Sequence, residues 1–250
     1  MVVQEATTRP EAGAGPRLAA TAFLCAFAST GVGFLIGGRW ALPALNAFAI
    51  YPFYLNLILA GQRRRAVALA LLWAIFSSEA MIGAAYLFPG RAEKVTLRGA
   101  EYRDEMFRWI RTGQGPESSP REFLPLHARE LGLFAAAALV SGGLGALFLG
   151  AVLLNYMNFY VAALLSASAH PLFACVFAWQ PYAMLRVVGY ILVATAATEA
   201  SFGAVARYRP SWRKVASYAA IGVALLVLDV IVKAAAAPAW ARALRWSSGF

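Results

Sequence analysis

Seven runs of about 20 mostly apolar residues shape this 250-residue chain, each long enough to cross a bilayer core. They cover 18–38, 40–61, 66–88, 130–153, 156–178, 182–204 and 215–237. Inside lipid every backbone N–H and C=O must find its partner within the protein, so runs of this length read as helices. The 61% hydrophobic and 14% charged content also lies well outside the range of soluble domains, which could not cover so much apolar surface. The fold class is therefore all-α, a polytopic helical membrane bundle of seven transmembrane helices. Six is the alternative, because His170-Pro171 can end the fifth helix early and leave 171–181 re-entrant or on the surface.

Charge placement gives an expected orientation. Arg63-Arg64-Arg65 and the group Arg207, Arg209, Arg213 and Lys214 contain no acidic residue, and four spans separate them. Both groups thus fall on one face, which the positive-inside rule assigns to the cytoplasm. The N-terminus is then cytoplasmic and the C-terminus extracytoplasmic. The 89–127 loop, with seven basic and six acidic residues, lies outside. An Arg-rich, Lys-poor, alanine-heavy chain points to a GC-rich bacterial source, hence to the cell inner (plasma) membrane.

The expected organisation is a disordered cytoplasmic tail over 1–17, helices 1–3 over 18–88, and an extracytoplasmic loop over 89–129. Helices 4–7 follow over 130–237, with an extracytoplasmic tail over 238–250. Within the loop, Tyr102, Met106, Trp109 and Ile110 share one face of an amphipathic helix over 97–111. Its expected place is flat on the outer head groups; capping a cavity or docking a partner is the alternative.

The net charge of +10 gathers at span ends, where it meets lipid head groups rather than nucleic acid. Cys25 and Cys175 lie in apolar runs and build neither a disulfide framework nor a zinc site. Phosphate-binding loops, zinc-protease helices and nucleophile elbows have no match. Two histidines are too few for the multi-histidine boxes of membrane di-iron enzymes. No cofactor, metal or catalytic residue is assigned.

Ionisable residues within spans are the candidates that remain, since each is unfavourable in hydrocarbon unless paired or wetted. Glu79, His170, Arg186, Asp229 and Lys233 fall at compatible depths on four helices. They form a candidate intramembrane polar cluster, with His127 and Glu130 at its outer mouth. Structural pairing is the competing explanation: Asp229 and Lys233 sit one turn apart, and Arg186 is near enough to a helix end to snorkel. Glu199 is expected to pair with Arg207 or Arg209, and Asn155 and Asn158 to sit at the turn between spans four and five. The small residues Gly33 and Gly37, and the Ser141–Gly150 stretch, mark close helix contacts.

These features fit a non-catalytic or permease-like membrane component of a transport or membrane complex. The alternatives are a stand-alone proton- or ion-coupled transporter of a small solute, or an enzyme acting on lipid or peptide at the outer face. The expected partners are the lipid bilayer and other membrane subunits or further copies of the chain.

Overall fold

The computed structural model describes residues 14–205 and 208–249. Among the described residues, seven helices are long and apolar enough to span a membrane: α1 (Ala14–Ile36), α2 (Ala41–Leu59), α3 (Arg63–Leu87), α6 (Pro120–Ser141), α7 (Leu144–Ala167), α9 (Pro181–Val205) and α10 (Trp212–Ser248). Three shorter helices, α4 (Pro89–Val95), α5 (Gly99–Thr112) and α8 (Pro171–Ala178), cap one end. The chain is thus a multi-pass helical membrane protein. Below, the capped end is the loop face, and the end carrying Arg63 to Arg65 is the arginine face.

Four boundaries differ from the sequence expectation. The turn between the fourth and fifth spans lies at Gly142-Gly143, not near residue 155, because both glycines adopt left-handed backbone with φ of 62° and 97°. A Cβ on Gly143 would lie 2.4 Å from the Thr198 hydroxyl oxygen, so glycine also lets α7 close against α9. The 171–181 segment is the short helix α8, not part of a span. The helix begins at Ala14, inside the expected disordered tail; residues 1–13 of that tail lie outside the described residues. The expected C-terminal tail continues α10 as far as Ser248, making a helix of 37 residues.

The amphipathic helix α5 does not lie on head groups. Its buried Met106, Trp109 and Ile110 pack into a cluster with Tyr160, Ala237 and Leu244. Tyr102 sits 4.7 Å from the Tyr156 ring, and Arg245 donates to the Ile110 carbonyl at 2.8 Å. It is a lid fixed over the bundle. Beneath it, α9 and α10 cross at a pair of glycines, where a Cβ on Gly189 would meet the Gly222 carbonyl at 3.0 Å.

The displaced turn carries Asn155 and Asn158 into the bundle. Asn155 donates to Asn46 at 3.1 Å, and Asn46 donates to Ser29 at 2.8 Å and Thr30 at 3.2 Å. Asn158 donates to Ser78 at 2.9 Å. These bonds join four spans in a region where water cannot substitute for a lost partner. Asn46→Ala leaves the Asn155 amide buried without its acceptor and is expected to destabilise the bundle by about 1–2 kcal/mol. An SDS unfolding titration in mixed micelles measures this, and an unshifted midpoint would remove the network from the fold's stabilising contacts.

Candidate functional site

A cavity of about 120 Å³ lies between α2, α3, α6, α7 and α9. Along α7 its lining runs from Gly143 to Met157, about 20 Å at the rise of an α-helix. Its two ends differ in chemistry. Towards the arginine face the walls are apolar: Ala70, Trp73, Ala146, Leu147, Val187 and Ile191. Towards the loop face they carry Arg98, Arg186 and Lys233 together with Glu105, Glu117 and Glu130.

Arg186 and Asp229 form a two-point ion pair, Nε to Oδ2 at 2.9 Å and Nη2 to Oδ1 at 3.2 Å. The Gly189–Gly222 crossing lets α9 and α10 approach closely enough for it. Lys233, 1% exposed, reaches Glu117 at 3.0 Å. Its ammonium also sits 4.6 Å from the Phe123 ring centre and 5.9 Å from that of Tyr182. Asp229 and Lys233 therefore each pair across elements, and one-helix neutralisation does not account for them. Tyr190 donates to Glu130 at 3.0 Å and stacks on Phe134 at 4.3 Å. His127 is 9% exposed, and neither ring nitrogen has a hydrogen-bond partner in the protein.

Five of the seven sequence candidates thus come together: His127, Glu130, Arg186, Asp229 and Lys233. The other two do not. Glu79 is exposed on the outer side of α3, away from the cavity lining. His170 is exposed at the start of α8, stacked on Trp246 at 5.3 Å. Depth along a helix had placed both at the right level, but level says nothing of the direction in which a side chain points.

Three contributors come from outside the spans and were missed. Glu117 folds back from the loop after Gly113, and Glu105 reaches in from α5. Burial, reinforced by Glu117, pushes the Glu105 carboxyl above its ordinary value. Arg98 precedes α5 with φ at 61°, the one non-glycine residue of positive φ among the described residues, and strain of this kind gathers at working sites. A polar loop residue carries no periodic signal of where it folds back, and a covering role for α5 stood only as the alternative to lying on head groups.

The far end of the cavity is closed. Tyr54 donates to Thr195 at 3.0 Å. One turn further, Arg63 makes a two-point ion pair with Glu199, and Tyr208 donates to the same carboxylate at 3.0 Å. Glu199 therefore pairs with α3. Of its expected partners, Arg209 is exposed and Arg207 lies outside the described residues. No protein family, curated protein or solved structure matches this chain.

Proposed function

We propose that this membrane protein is a permease-like component that takes its solute into the inter-helix cavity from the loop face and releases it at the arginine face. One observation carries the reading. A cavity about 20 Å deep has a charged mouth at one end and, at the other, a closure that includes side-chain hydrogen bonds and an ion pair. Such polar bonds can exchange partners as a closure opens, which access from alternate sides requires. The positive-inside rule makes the loop face the outside of the cell in this reading.

The test uses Ala146→Cys, a cavity position, in a chain whose Cys25 and Cys175 are replaced by Ser. A membrane-impermeant thiol reagent is applied to sealed vesicles of each orientation. The expected result is modification from the loop face and, about tenfold or more slowly, from the arginine face. Modification from the loop face alone would sink the permease reading, leaving a receptor or enzyme pocket.

A further inference from the structure

We propose that the cavity binds a single-chain amphiphile taken from the membrane, with a head bearing both charge signs at the mouth and its chain along the apolar floor. The inference rests on reading the cavity as a binding site, and it names the class of ligand.

Three independent observations support it. The first is the division of the cavity. From Leu154 to Gly143, α7 lines an apolar channel about 16 Å long. A small hydrophilic solute would leave that channel without a partner, and a wholly apolar one would strip water from the charged mouth without replacing it.

The second is the balance of the mouth. Arg98, Arg186 and Lys233 are set against Glu105, Glu117 and Glu130, with Asp229 behind Arg186. A head of one sign meets like charges wherever it sits, whereas a zwitterion can address both sets. Two buried polar groups on the cavity wall lack partners: the His127 ring, and the indole N–H of Trp73 on the floor, a residue 3% exposed. The first suits a polar head, and the second reports on a chain that reaches the floor.

The third is a side route. A second, largely apolar groove lies between α6 and α10, lined by Leu124, Leu131, Val223 and Val227. It shares His127 and Tyr190 with the main cavity. Both helices pack on α9, and His127 and Tyr190 face both the groove and the cavity. Movement of the His127 and Tyr190 side chains would then admit the chain of a lipid-borne amphiphile from the apolar groove.

The probe is lysophosphatidylcholine brominated in mid-chain, added to the protein in phosphatidylcholine nanodiscs, with tryptophan fluorescence as readout. The expected result is a saturable quenching component that disappears in Trp73→Phe. That variant keeps an aromatic ring in the core, losing the unpartnered N–H and one ring of the indole, and should fold. Gly150→Leu should remove the same component by filling the floor; a Cβ there has only Phe134, at 3.9 Å, within 4 Å. Unbrominated lysophosphatidylcholine should compete at least about tenfold better than a fatty acid or an alkylamine of equal chain length. Quenching unchanged in Trp73→Phe overturns the placement of the chain. Equal competition by the singly charged amphiphiles overturns the zwitterionic head. The thiol experiment is separate: two-sided access without saturable quenching keeps the permease and loses this ligand, and the converse keeps the ligand and loses the permease.

Discussion

Asp229→Leu is expected to destabilise the bundle by about 3–5 kcal/mol, because it strands the Arg186 guanidinium beneath the lid. Both oxygens of Asp229 are bound by Arg186, and the two side chains are only 1% and 17% exposed. Water therefore has little access to a guanidinium that has lost its partner. The pair itself is a different quantity from the loss of one member. Removing both charges, in Arg186→Met with Asp229→Leu, should return most of the lost stability, since desolvation had already offset much of the attraction. SDS unfolding of the two variants decides the matter. A single-variant loss below about 1 kcal/mol would show a pair as hydrated as one on a surface. The double variant also separates stability from binding: it should unfold much like the parent yet lose saturable quenching by the brominated amphiphile, because one of the three basic groups has gone from the mouth.

The contrast between Asp229 and Glu79 shows how far one sequence can be read. Both are carboxylates within apolar runs, and hydropathy marks both as exceptions. Asp229 pairs inside the bundle, whereas Glu79 faces outward from α3. Their difference is one of rotation about the helix axis, and these spans are apolar on every side, so no stripe fixes which way a residue points. Length and apolarity gave the seven crossings for the same reason that they concealed the turn between the fourth and fifth. Residues 130–178 are almost continuously apolar, and the asparagines at 155 and 158 look like turn formers, while the left-handed glycines at 142 and 143 look like packing residues. The last span, expected to end at 237, instead runs through Pro238 and docks on the lid. The lid helix was legible, since its amphipathic period survives the context. Glu117 was not: a loop carboxylate has no period, and its place beside Lys233 is set by tertiary packing alone.

Glu199→Gln should unlock the arginine face. The change keeps the shape of the side chain and removes its charge, leaving Arg63 without a counter-ion at a site where Glu199 is 1% exposed. An uncompensated buried cation loses about 3–5 kcal/mol unless water reaches it. In this fold a direct route to water is for α3 and α9 to part at that end, where the Tyr54–Thr195 bond is the next polar contact towards the cavity. Ala194→Cys, on the cavity wall, reports such an opening to an impermeant thiol reagent applied from the arginine face. A shift of even 3 kcal/mol in a two-state closure changes the open fraction by about a hundredfold, so the rate from that face should rise at least about tenfold while the rate from the loop face falls. Stability measured in SDS should drop by less than for Asp229→Leu, because opening lets Arg63 hydrate, whereas Arg186 stays under the lid. Equal losses with no change in thiol access would make Arg63–Glu199 a fixed clasp between two spans, and a permease would then have to open the arginine face elsewhere.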